Sequence, residues 1–338
     1  MNGVRTASPL TVRGSTVRRA VALLTTLALA TGCAAAQGAT DGSGQSDKGA
    51  ATPRMTIGMV SHSGDGDTFW DIVQNGAENA AAKDHVKFLY AHDKEGAQQA
   101  ALIQSYIDQK VDGLIVTLAK PEAVQAAVRK AVARGIPVIT INSGGEFSKA
   151  YGALTHIGQD ESVAGRAVGE ELNNRHAKKT LCVLHEQGNV SLEDRCAGVR
   201  KAFHGTVENL DVDGTNAPAS QSSVEAKLQS DKSIDAIVTL GAPMAAISVK
   251  AKEQAGSSAQ IATFDLNSAV VKLLKAKDVT FAVDQQPYLQ GYEAVDLLWL
   301  HRANADVLGG GKPVLTGPAL VTEKDVPKLT EYTGRGTR

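Results

Sequence analysis

Asp67, Thr117, Asn142, Asn189, Glu193, Asp265 and Gln285 share one placement: each closes, or lies just beyond, a short apolar run that reads as a β-strand. Amides, hydroxyls and carboxylates can donate to or accept from vicinal hydroxyls, and Phe69 and Trp70, close after Asp67, offer flat apolar faces. Such a set suits the capture of a small polyhydroxylated molecule better than it suits a reaction. Taken singly, each residue serves equally well as a loop cap or turn former, and Phe69 and Trp70 as packing at a helix start. Asn142 and Asp265 carry more weight, because they recur at matched positions of an internal repeat.

The elements that must position them follow from that repeat. Ile136 to Ile141 is a short β-branched run bounded by glycine, which suits a strand covered on both faces. It ends in Asn142-Ser143-Gly144-Gly145, and in open parallel sheets the ligand crevice lies outside the carboxyl ends of the strands. Ser143 therefore joins Asn142 as a candidate contact. The sequence Val111 to Leu118, a helix, then Thr140-Ile141-Asn142 returns as Ile234 to Leu240, a helix, then Thr263-Phe264-Asp265. Upstream, Met55 to Val60 returns as Lys179 to Leu184. Two similar α/β lobes are implied, with a ligand held between them.

In order, strands are expected at Met55–Val60, Val86–Tyr90, Gly113–Leu118, Ile136–Ile141, Ala153–Ile157, Lys179–Glu186, Ile237–Leu240, Ile261–Asp265 and Val279–Val283, with helices between. Asp211 to Ser222 reads as polar and irregular, and Val314 to Thr322 as one last extended segment.

The 338 residues are 43% hydrophobic, 21% charged and only 4% aromatic, with formal net charge −1, so nothing calls for nucleic acid or an anionic surface as partner. A dinucleotide-binding turn fails, since Gly64-Asp65-Gly66 has Phe69 where the third glycine belongs. Phosphate-loop, His-Glu-x-x-His and Gly-x-Ser-x-Gly patterns do not occur. The eight histidines are scattered rather than clustered as metal ligands would be. No catalytic residue, metal or cofactor is expected.

Arg13, Arg18 and Arg19 precede an apolar run, Ala20 to Ala30, too short to span a bilayer, which needs about 20 residues. It reads as a secretory signal, and Leu29-Ala30-Thr31-Gly32-Cys33 resembles a lipoprotein cleavage box, with Cys33 as the lipidated residue. The polar stretch 34–53 reads as a flexible tether. Cys182 and Cys196, one on a strand and one on the helix returning beside it, are either a disulfide or two buried small residues.

Asp67-Thr68-Phe69-Trp70 before Gly76-Ala77, Gly135 to Asn142, Ile157-Gly158-Gln159-Asp160 with Ala164-Gly165, Thr263-Phe264-Asp265, and Asp284 to Tyr292 together resemble the ribose-type sugar receptors among the periplasmic binding proteins, the substrate-binding subunits of ABC importers. The resemblance covers about Met55 to Val326. It implies two doubly wound parallel-sheet lobes joined by three crossings, near Gly158-Gln159, near Asp284-Gln285 and around Gly309 to Thr316. The first lobe would hold residues 54–158 and 286–308, the second 159–285 and 309–338, after a signal peptide at 1–33 and the tether. By the same resemblance Asp67, Phe69, Trp70, Thr117, Asn142, Ser143, Asp265 and Gln285 take ligand-contact positions. The second-lobe arginine falls at Glu193, with Arg195 two residues on, and a ligand asparagine falls at Gly241. These departures make the pocket more acidic than a ribose pocket, open to a pentose, hexose, sugar alcohol or amine-bearing ligand.

The function expected is that of a monomeric lipoprotein, anchored by Cys33 to the outer face of the membrane, closing on a sugar or polyol and delivering it to an ABC permease. The alternatives are a signalling receptor on the same fold and, less readily, a hydrolase of sugar conjugates.

Overall fold

The computed structural model describes residues 54–64 and 67–338. The signal segment, Cys33 and the tether lie outside the described residues. From Arg54 the chain forms β1 (Thr56–Ser61), α1 (Thr68–Lys83), β2 (Lys87–His92), α2 (Gly96–Asp108), β3 (Gly113–Val116), α3 (Pro121–Ala133), β4 (Val138–Ile141), α4 (Gly145–Tyr151) and β5 (Thr155–Gln159). It continues through α5 (Glu161–Asn174), β6 (Lys179–Leu184), α6 (Val190–Ala202), β7 (Thr206–Asp211), α7 (Ala217–Ser230), β8 (Ala236–Thr239), α8 (Ala242–Gln254), β9 (Gln260–Phe264), α9 (Ser268–Ala276) and β10 (Phe281–Asp284). It closes with α10 (Pro287–Asn304), β11 (Val314–Gly317), β12 (Ala319–Val321) and α11 (Val326–Gly334). Among the described residues no helix is long and apolar enough to cross a membrane.

Two six-stranded sheets result, in the orders β11-β5-β4-β3-β1-β2 and β12-β10-β9-β8-β6-β7. All pairings are parallel except β10 with β12. The central strands β3, β4, β8 and β10 are buried at every residue, as parallel strands sandwiched by helices must be. Each sheet is covered by helices on both faces, giving two apolar clusters per lobe.

The lobes use the same device to bring helices together. In the first, Gly76 of α1 faces Gly291 of α10: a Cβ on Gly76 would stand 2.0 Å from Tyr288 O, and one on Gly291 1.9 Å from Val73 O. In the second, Gly165 of α5 faces Gly198 of α6, with hypothetical Cβ atoms 2.2 Å from Arg195 O and 2.5 Å from Ser162 O. Backbone against backbone leaves no room for a side chain.

Three crossings connect the lobes. β5 lies in the first sheet while α5 packs on α6; β10 lies in the second while α10 packs on α1; β11 and β12 lie in different sheets on either side of Gly317-Pro318. The segment Val314 to Thr322 is thus two strands rather than one, and its first half pairs with β5, so residues 314–317 join the first sheet instead of the second. The stretch expected to be irregular holds the end of β7 and the start of α7; β7 is a half-exposed edge strand, whose polar side chains conceal its period. Arg338 donates from Nε to Asp284 Oδ2 at 2.7 Å, and Asn75 of α1 donates to Gly336 O at 3.2 Å, so the residues after α11 lie across the second crossing. Cys182 and Cys196 are joined by a disulfide, with Cα atoms 6.0 Å apart, fastening α6 to β6.

Candidate functional site

The carboxyl ends of the two sheets face each other across a cavity of about 330 Å³. Asp67, Phe69, Trp70, Asn142 and Ser143 line it from the first lobe, Asn189, Arg195 and Asp265 from the second, and Gln285 from the second crossing.

Asn142 and Asp265 each stand one residue past a strand, in left-handed backbone (φ 62° and 68°), a region in which Asn and Asp are the commonest non-glycine residues. Each main-chain N–H donates to the neighbouring strand, Asn142 to Ile157 O at 3.0 Å and Asp265 to Val283 O at 2.8 Å. The strand ladder therefore holds both backbones, turning the side chains together. Asn142 Nδ2 donates to Gln285 Oε1 at 3.1 Å, and Gln285 Nε2 donates to Asp265 Oδ1 at 2.6 Å. One hydrogen-bonded row thus runs from lobe to lobe across the cavity floor.

Asp67 and Asn189 begin α1 and α6 as caps, accepting from Phe69 N at 3.0 Å and Ser191 N at 3.1 Å. Asp67 keeps its second oxygen at the cavity, whereas Asn189 Nδ2 donates to Glu186 Oε2 at 2.9 Å. The Trp70 ring is held edge-on between His62 and Phe69, with centroids 5.0 and 5.3 Å away.

Arg195 is fully enclosed. Its Nε and Nη2 donate to Glu161 at 2.6 and 2.9 Å, Nη1 donates to Leu240 O at 2.8 Å, and the guanidinium lies 4.6 Å from the Phe264 ring centre. Burial works against its charge, but Glu161 and Asp265 together more than offset this and hold the pKa above the ordinary value. Asp265 Oδ2 stands 3.9 Å from Nη1. Glu161 also accepts from Gln159 at 2.9 Å, so the first crossing is fastened to the same group. Burial pushes the Asp265 carboxyl up to about 7 against the pull of Arg195 and the Gln285 hydrogen bond. Asp67 is pushed up to about 6, again by burial, against its bond from Phe69 N and with the Glu186 charge adding to the rise.

Thr117 and Glu193 do not line the cavity. Thr117 is wholly buried behind it: its Oγ1 accepts from the His62 main-chain N–H at 3.0 Å and from Gln99 Nε2 at 3.0 Å, and lies 2.8 Å from His62 Nδ1. It orients the histidine that does reach the cavity. Glu193 is exposed on α6, because residues two apart on a helix project about 200° apart, and the face toward the cleft belongs to Arg195. Sequence reasoning missed His62, Lys94, His185, Glu186 and Met244, which all line the wall. His62 and His185 each stand one residue past the first strand of a lobe, so the repeat itself held the signal. Burial lowers both, His185 to about 4, leaving neutral rings that can donate or accept.

The lobes touch at the rim. Asn189 Nδ2 lies 3.3 Å from His62 Nε2, Lys120 Nζ 3.7 Å from Glu186 Oε1, and Val190 N donates to Ala119 O at 3.1 Å. The arrangement is a shut one, fitted to enclose a molecule about the size of a monosaccharide in a ring of donors and acceptors.

A family model for a periplasmic binding protein domain matches residues 57–305. The chain belongs to the periplasmic binding protein family. Within it, this binding protein is 46% identical to a carbohydrate transporter from Acidothermus cellulolyticus 11B, solved in complex with myo-inositol. That likeness covers 85% of this chain and 100% of that one, with a TM-score of 0.84. The ribose import binding protein of Bacillus subtilis is 25% identical over 256 residues, 72% of this chain and 79% of that protein. The xylose/arabinose-binding protein of Sulfolobus acidocaldarius is 23% identical over 257 residues; the match spans 70% of this chain and 63%, less than two thirds, of that protein's length. The Bacillus and Sulfolobus relatives are named as binding proteins, and the family places the chain outside the cytoplasm.

Proposed function

We propose that this binding protein captures a small sugar or sugar alcohol between its lobes and hands it to the permease of an ABC importer. The observation that carries the reading is the row Asn142–Gln285–Asp265, which joins both lobes and sets amide donors beside amide and carboxylate acceptors. A vicinal diol needs that alternation, since each hydroxyl gives one hydrogen bond and takes others. The likeness to a carbohydrate transporter holding myo-inositol supports a cyclitol or monosaccharide as ligand. Arg195 is already matched by Glu161, so its charge is not free to pair with an anionic sugar.

Capture works as a population shift. Contacts from both lobes exist only in the shut form, so ligand stabilises closure about the three crossings. The closed pair of lobe surfaces is then what a permease recognises. The leader ending in Leu29-Ala30-Thr31-Gly32-Cys33 and the polar stretch after it support a tether by a lipid on Cys33 at the outer face of the membrane.

Isothermal calorimetry against myo-inositol, pentoses, hexoses and acyclic polyols tests the reading. At least one neutral member of the panel is expected to bind with a dissociation constant of about 1 μM or lower. Silence across the panel would overturn it.

A further inference from the structure

Gln290, in the second turn of α10, does not line the cavity and is wholly buried. Its Nε2 lies 2.9 Å from Gln285 Oε1, 3.1 Å from the Gln285 main-chain oxygen and 3.2 Å from Thr316 Oγ1. Gln285 belongs to the second crossing and Thr316 to β11, just before the third. One buried amide group therefore ties two of the three crossings together.

Its effect on Gln285 is chemical as well as mechanical. A carboxamide has two orientations of nearly equal shape, which differ in whether oxygen or nitrogen faces a given neighbour. Here the Gln285 oxygen is claimed twice, by Gln290 Nε2 at 2.9 Å and by Asn142 Nδ2 at 3.1 Å. Turning the group over would set nitrogen against both donors and oxygen against the Asp265 carboxylate. With the oxygen held, Nε2 is fixed beside Asp265, giving it one N–H and keeping the second for a ligand. The floor then offers a donor and an acceptor side by side, the pair that one hydroxyl satisfies by accepting from Gln285 and donating to Asp265.

We infer that Gln290 is a positioning residue of the binding site: it fixes the Gln285 carboxamide with its nitrogen toward the ligand and couples that orientation to the hinge. The inference rests on the ligand reading above. It requires that removing the Gln290 donor weaken binding only while Gln285 is present to be positioned.

A double-mutant cycle by calorimetry tests this, using myo-inositol or whichever member of the panel the wild-type chain binds tightest. Gln290→Met removes the Nε2 donor shared among these three acceptors, and Gln290→Leu removes it with a branched side chain, so that a folding failure of the first leaves the second to decide. Each is expected to weaken binding by about tenfold or more. In a Gln285→Ala background the same substitutions should cost less than about twofold, because nothing remains to be oriented. Equal losses in both backgrounds, or a lowered melting temperature with unchanged affinity, would mark Gln290 as a packing residue and overturn the inference alone. Failure of the wild-type chain to bind any panel member would overturn the inference and the ligand reading together.

Discussion

The two lobes are one design executed twice, with different chemistry set on it. Their strands run in the same order, with β1 and β6, β3 and β8, β4 and β9, β5 and β10 in equivalent places. Each lobe brings two helices together on facing glycines, begins its first helix with a capping Asx residue, and sets a left-handed Asx residue after its fourth strand. Yet the first lobe contributes an aromatic wall, Phe69 and Trp70, beside Asn142 and Asp67, while the second contributes Asn189, Asp265 and the Arg195–Glu161 pair. The fold thus requires the backbone and the small residues; the ligand requires the side chains at the strand ends, which are free to diverge. Among the described residues only the second lobe is stapled, by Cys182–Cys196.

The shared scaffold is broken most severely at the glycines. Gly291→Val and Gly165→Val place branched side chains where a Cβ alone would stand 1.9 and 2.2 Å from a carbonyl oxygen. Each is expected to cost roughly 4 kcal/mol or more, or to prevent folding. Urea denaturation should show similar penalties in both lobes; a mild cost in either would mean that its helix pair is not so tightly closed.

Removing the staple should separate the lobes. Cys182→Ala with Cys196→Ala opens a short covalent loop, an effect of about 3 kcal/mol. Hydrogen exchange should quicken around β6 and α6 and leave β1 and α1 unchanged; equal loosening of both lobes would contradict the assignment of the disulfide to local support of the second.

Binding should divide unequally. Asp265→Ala is expected to cost about 2–3 kcal/mol of affinity and Asn142→Ala about 1 kcal/mol, since bonds to charged acceptors are the stronger. Calorimetry on the two variants would reverse the ranking if the amide, rather than the carboxylate, carries recognition. A pH series adds the sign. With its pKa at about 7, Asp265 is an ionised acceptor above that value, so affinity should fall as pH drops from 7 toward 6, and Asp265→Asn should flatten the profile.

Stability against pH compares two buried histidines, His156 in the first lobe and His185 in the second, both lowered by burial to about 4. Protonation favours the unfolded chain, where histidine titrates near its ordinary value of 6.5. Their contribution is therefore whole above pH 6.5 and lost as pH falls toward 4. The stability difference between wild type and His156→Gln should shrink over that window; a difference independent of pH would contradict it.

What could be read from the chain follows the same division. Buried parallel strands announce themselves as apolar runs, and the repetition of one such run with Asx at its end picked out Asn142 and Asp265. Thr117 occupies the strand end by the same pattern, but its hydroxyl turns inward to hold His62, a choice made by tertiary contacts. Glu193 and Arg195 differ only in helical phase, which depends on where α6 starts. β7 and α7 escaped notice because an edge strand and a solvated helix carry weak apolar patterns. β11 and β12 merged in the reading because nothing local marks which sheet a short strand will join.

Hydrogen exchange followed by mass spectrometry, with and without the polyol that binds, tests most directly whether both lobes hold the ligand. The account requires that peptides containing Asn142, Asp265 and Gln285 all gain protection on saturation, together with the rim around Ala119 and Val190. Protection confined to one lobe would contradict it.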